Sequence, residues 1–192
     1  MKWTETESDW QIKFISNINL KGMWIMNLKK LILCSLLLAI GLVLHQLVPP
    51  ILFGMKPDFL LSMMFVAIAL CDDYKLALLI GLAAGILTAA TTGFPGGQIP
   101  NIIDKLITSN IVYLLFKLGK NTFNHQIKIF IVSLLGTLIS GFIFLTSASI
   151  IVGLPVSFLA LVIGAVLPAA LFNVITSMIL YNASYLAANN MR

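Results

Sequence analysis

Charge is scarce in this chain. Only 10% of its 192 residues are Asp, Glu, Lys or Arg, while 59% are hydrophobic and the mean hydropathy is +1.01; soluble domains carry roughly 25% charge. A water-soluble globular domain is thereby excluded. Histidine and cysteine number two each, and His45, His125, Cys34 and Cys71 are too scattered to have metal-ligand spacing, so no metal and no cofactor is expected. Both cysteines fall near span ends assigned below to the cytoplasm, where thiols stay reduced, and no disulfide is expected. No Gly-x-x-x-x-Gly-Lys-Ser/Thr run occurs, so the chain has no phosphate-binding loop of that kind. The net charge of +5 comes from lysines that flank apolar runs, without the basic stripe and interleaved aromatics that grip nucleic acid. Tryptophan is confined to Trp3, Trp10 and Trp24.

Residues 1–25 are polar, with Glu5, Glu7 and Asp9, and have no apolar core followed by a small-residue cleavage site. They read as a disordered or surface-lying tail, with Met26 followed by Asn27, Leu28, Lys29 and Lys30 as a natural start for a membrane protein. Residues 26–192 read as one six-span domain. The first span, about 31–48, ends at Pro49 and Pro50, a length that suits a hydrocarbon core of roughly 30 Å. The second, Phe59–Cys71, is short for a crossing. It must be helped by the apolar residues before it or by local thinning of the bilayer.

After a tight turn at Asp72, Asp73 and Lys75, a third span covers about 76–92. Its Ala77, Gly81 and Gly85, at four-residue spacing, suit close helix packing. A loop over Gly93 to Asn101 leads to a fourth span of about 102–116, and a fifth covers about 129–152. The last run, about 156–188, is too long for one straight crossing and reads as a single helix kinked at Pro168. The fold class is therefore an all-α membrane protein: a six-helix transmembrane bundle with both termini cytoplasmic. That orientation puts Lys29, Lys30, Lys75, Lys117, Lys120, Lys128 and Arg192 inside and only Lys56 and Lys105 outside, the positive-inside bias.

One stretch departs from this apolar background. Residues 91–105 read TTGFPGGQIPNIIDK, crowding glycine, proline, amide, carboxylate and ammonium groups together. Gly93, Gly96 and Gly97 permit tight turning, and Pro95 and Pro100 stop helix from running through. A helix restarting at Asn101 puts Asn101, Asp104, Lys105 and Thr108 on one face. Ionisable groups near the centre of a span cost on the order of 2.5–3.5 kcal/mol each and normally face the bundle interior or water. The bland alternative is that Asp104 and Lys105 snorkel to the interface. With Lys56 and Asp58 before the second span and His45 and Gln46 closing the first, the unusual polar residues converge on the outer end of the bundle. Convergent polar groups over apolar walls suit a small-molecule pocket.

The motifs MKPD at Met55 to Asp58 and FPGGQIPNIIDK at Phe94 to Lys105 carry a resemblance that extends over about residues 26–188. The chain resembles the tryptophan-specific substrate-binding (S) components of energy-coupling-factor transporters. That resemblance implies a cell-membrane, multi-pass bacterial protein that binds L-tryptophan from outside. It further implies docking on a transmembrane coupling subunit driven by two ATPase subunits, and no enzymatic activity. S components commonly dock through an Ala-x-x-x-Ala pattern in the first helix, and Ser35 and Ala39 hold that spacing here; plain packing between helices is the alternative.

A zwitterionic aromatic amino acid needs an acceptor for its ammonium, donors for its carboxylate, flat walls for its ring and a partner for the indole N–H. Asp58 or Asp104 suits the ammonium, and Lys56 or Lys105 the carboxylate. The backbone N–H groups from Gly96 through Gly97 to Asn101 suit the carboxylate as well. Gln98 or Asn101 offers a carbonyl oxygen to the indole, and Phe94 a stacking face. Local pairing of Lys56 with Asp58 or Lys105 with Asp104, serving only the fold, is one alternative; adjacent helical residues diverge by about 100°, so partners on other segments are favoured, and Lys56, Asp58, Asp104 and Lys105 can form one interlocked set. His45 reads as an interior histidine or a ligand contact, and Met55, Met63 and Met64 as core. Asn173, Thr176 and Ser177 read as a face for hydrogen bonding between helices. The rival functions are an S component for another small molecule such as a vitamin, an intramembrane enzyme using Asp58, Asp104 and His45, and a structural scaffold.

Overall fold

An apolar helix that is hydrophobic all round must be buried all round, and the shortest of the helices among the described residues is of that kind. In the computed structural model, which describes residues 28–47, 49, 58–119 and 124–190, six helices run in sequence. They are α1 (Leu28–Leu47), α2 (Phe59–Cys71), α3 (Tyr74–Thr91), α4 (Gln98–Leu118), α5 (His125–Ile151) and α6. The last is continuous through Phe158–Leu161, a π-helical turn Val162–Val166 and Leu167–Asn190. There is no strand among the described residues. The chain divides into two units: Met1–Leu33, of which only the first turns of α1 are described, and Cys34–Arg192, which holds everything discussed below.

Five of the helices are long and apolar enough to cross a membrane. The exception, α2, is the hub: it packs on α3, α4, α5 and α6, and Leu60 to Ile68 are all buried. Gly41 of α1 closes the remaining side, where a Cβ would lie 2.8 Å from Met63 Cγ. Met63 and Met64 are core, as expected. At 13 residues α2 rises only ~20 Å, against a hydrocarbon core of about 30 Å. A hub that stops short leaves room at its end, and Asp58, its N-cap, marks that place. At the other end Asp72 caps it in the left-handed region (φ 43°), which Asp tolerates, and Asp73 caps α3 by accepting from the N–H groups of Lys75 and Leu76. Cys34 and Cys71, both buried and not bridged, lie together at this end.

The small-residue stripe on α3 does the packing expected of it. A Cβ on Gly81 would lie 2.1 Å from Ser109 Oγ, and one on Gly85 3.0 Å from Ile102 Cα, so α3 and α4 touch backbone to backbone. The α3–α4 loop turns at Gly96 (φ 69°), where a Cβ would also meet Val152 at 2.6 Å.

Two features differ from the sequence reading. Helix α4 begins at Gln98, not Asn101, because Pro100 sits in its first turn, where the missing N–H would have no intrahelical partner in any case. The kink in α6 takes the form of the π-helical turn just before Pro168: proline denies the Gly164 carbonyl its ordinary i+4 donor, and a π turn is one way a helix absorbs that loss. Residues 1–27 and 50–57, with Met55 and Lys56 among them, lie outside the described residues, as do Lys120 and Arg192.

Candidate functional site

The four polar residues at helical spacing on α4 do face inward: Asn101, Asp104, Lys105 and Thr108 are all buried. Snorkelling is thereby excluded for Asp104 and Lys105. Lys105 Nζ lies 2.7 Å from Asp58 Oδ2 and 2.5 Å from Asp104 Oδ2. Lys105 thus has both the partner on another segment and the neighbouring one that the sequence offered as alternatives; the four-carbon lysine stem is long enough to fold back to Asp104 while still reaching Asp58.

Charges taken out of water are tolerated when they are paired and hydrogen-bonded, and each carboxylate oxygen here has a partner. Asp104 Oδ2 also accepts from Ser140 Oγ at 2.8 Å, and its Oδ1 from Thr108 Oγ1 at 2.8 Å. Asp58 Oδ1 accepts from the Leu61 N–H at 3.0 Å and has His45 Nδ1 at 3.8 Å. Helices α1, α2, α4 and α5 thus each place a group in one cluster. Two carboxylates share one ammonium.

Beside this cluster lies a cavity of about 120 Å³. Asp58, Asp104 and Lys105 line it together with His45, Asn101, Thr137, Ser140 and Asn173. Its apolar walls are Leu61, Phe94, Phe144, Val166 and Phe172. Phe94 and Phe144 meet edge-to-face, with ring centroids 5.4 Å apart at 82°, the arrangement aromatic quadrupoles prefer. The remainder is Thr88, Thr92 and Gly93 at the end of α3, Gly141 on α5, and Gly164, Ala165, Pro168 and Ala169 around the π-helical turn of α6.

Of the residues anticipated from sequence, Asp58, Phe94, Asn101, Asp104 and Lys105 come together here. Gly97 and Gln98 are not among the residues lining the cavity. Gly97 is buried and its carbonyl accepts from Asn101 Nδ2 at 2.7 Å, and Gln98 is exposed. Ser35 and Ala39 are both exposed on α1. Sequence reasoning missed Ser140, Thr137 and Phe144 as parts of the site. It named Asn173 but credited it wholly to helix packing: Nδ2 does donate to Thr137 Oγ1 at 3.4 Å, yet Oδ1 is buried with no hydrogen-bond partner among the described residues. The available signal was Thr137 and Ser140, two hydroxyls three residues apart on one helical face of the fifth span.

These features define a multi-pass helical membrane protein with an ion-paired, aromatic-walled cavity inside its bundle. Residues 27–188 match the family described as Tryptophan transporter TrpP, and the chain belongs to that family. It is 54% identical over 158 residues to the probable tryptophan transport protein of Clostridium acetobutylicum, covering 82% of this chain and 92% of that one. It is 45% identical over 156 residues to the protein of that name in Bacillus subtilis, covering 81% and 90%. The corresponding Clostridium perfringens protein is 43% identical over 164 residues, again covering 81% and 90%. No solved structure matches.

Proposed function

We propose that the cavity captures L-tryptophan from the outer side of the membrane. The bound protein then releases the amino acid inward when docked on a transmembrane coupling subunit worked by two ATPase subunits. The observation that carries this reading is the buried cluster of two carboxylates and one ammonium against aromatic walls. An incoming zwitterion offers complementary charges: its ammonium takes Asp58 or Asp104, and its carboxylate takes Lys105. Inserted between Asp58 and Lys105, the substrate replaces one ion pair by two, so neither of its own charges is stranded at low dielectric. Phe94, Phe144 and Phe172 flank the ring, and Asn101 helps hold the polar end. The names of the relatives supply the substrate, and the positive-inside bias supplies the direction. Both termini are then cytoplasmic.

The test is equilibrium binding of radiolabelled L-tryptophan to the purified full-length protein in lipid nanodiscs. Saturable binding is expected, with excess L-phenylalanine a poor competitor because it lacks the ring N–H. Asp104→Asn should weaken binding on the order of tenfold or more, the worth of a hydrogen bond to a charged group. Absence of saturable tryptophan binding would overturn the reading, and displacement by an unrelated small molecule such as a vitamin would redirect it.

A further inference from the structure

We infer that Asn173 selects an indole over other aromatic rings, its Oδ1 accepting the ring N–H; this rests on the tryptophan reading above. Asn173 is 1% exposed, lines the cavity and keeps a buried acceptor with no partner among the described residues. A buried polar atom left unpaired is uncommon and calls for a reason.

The orientation of the amide follows from its neighbour. Thr137 Oγ1 donates its single proton to the Ser133 carbonyl at 2.7 Å, so toward Asn173 it has only lone pairs to offer. It therefore receives Nδ2, and Oδ1 must face the other way. The main-chain carbonyl of Asn173 accepts from Ser62 Oγ at 3.4 Å, which ties this point of α6 to α2.

Depth fits as well. Thr137 is one turn below Ser140 on α5, and Ser62 one turn below Asp58 on α2. Asn173, joined to both, thus lies about one helical turn, ~5 Å, beneath the charged layer. That is comparable with the distance between the ammonium and the indole nitrogen in tryptophan. Asn101, the other amide in the cavity, stands one turn toward the loop from Asp104, beside the charges, and spends its Nδ2 on Gly97.

The test compares L-tryptophan with β-(3-benzothienyl)-L-alanine, which has sulfur in place of the ring N–H, by competition against radiolabelled L-tryptophan on the full-length protein. The wild-type protein should prefer tryptophan by roughly tenfold to a hundredfold, since the analogue leaves a buried acceptor unpaired. Asn173→Leu should bring the ratio to about one while keeping affinity for the analogue, and Asn173→Ala, read alongside, should do the same. The ratio is the readout because a merely structural defect weakens both compounds alike. Asn101→Leu should leave the preference in place. A variant at Asn173 that keeps the wild-type preference, or a collapse of preference in Asn101→Leu alone, overturns the inference while leaving the tryptophan reading intact. A wild-type protein that binds neither compound overturns both.

Discussion

Lys105 holds the cluster together, because it is the ammonium that both carboxylates share. Removing one partner of a buried ion pair leaves an uncompensated charge, at a cost of about 3–5 kcal/mol. Lys105→Met is therefore expected to lower stability by that order, measured by unfolding in a fixed detergent. Asp104→Asn in the same chain should recover part of the loss, since it removes one stranded carboxylate. Additive losses from the two substitutions would show that the groups do not form a unit. At this scale the sequence revealed a good deal: Asn101, Asp104, Lys105 and Thr108 share a face by helical period alone. The meeting of Lys105 with Asp58, 47 residues earlier in the chain, was one of several arrangements the sequence allowed, because pairing across helices depends on packing that no local period encodes.

At the scale of the helix, α6 carries the least regular backbone next to the cavity. Pro168 stands just beyond the π-helical turn, and Gly164 to Val166 within that turn line the site. Restoring an N–H with Pro168→Ala should let this part of α6 tighten into regular α-helix. The expected outcome is an unchanged or raised unfolding midpoint with weaker tryptophan binding, the two being measured on the same preparation. Lowered stability with unchanged affinity would mean that the π turn serves packing alone. The sequence announced a break at Pro168, but a proline admits a bend, a π turn or a new helix start. Neighbouring contacts choose among them, as where Val166 packs against Gly141 so closely that a Cβ there would lie 2.5 Å away. Pro100 shows the same ambiguity from the other side: read as a barrier, it is instead part of the first turn of α4.

For the whole molecule, the exposed face of α1 is the place to test coupling. Ser35 and Ala39 are exposed there together with Leu36, Ile40 and Val43. Substituting both small residues by leucine should leave tryptophan binding unchanged while abolishing uptake by cells that co-express a coupling module, because close approach of a second helix needs small side chains. Full uptake by the doubly substituted protein would remove α1 from the docking surface.

Composition and period were enough to establish an all-helical membrane protein, the short second helix and the polar face of α4, since each of these is decided within one segment and its contact with hydrocarbon. The cavity was decided elsewhere. It exists because a short hub helix ends inside its neighbours, because Lys105 can fold back to Asp104 and still reach Asp58, and because Thr137 orients the Asn173 amide. Those three circumstances join residues far apart in the chain, and only packing brings them within reach of one another.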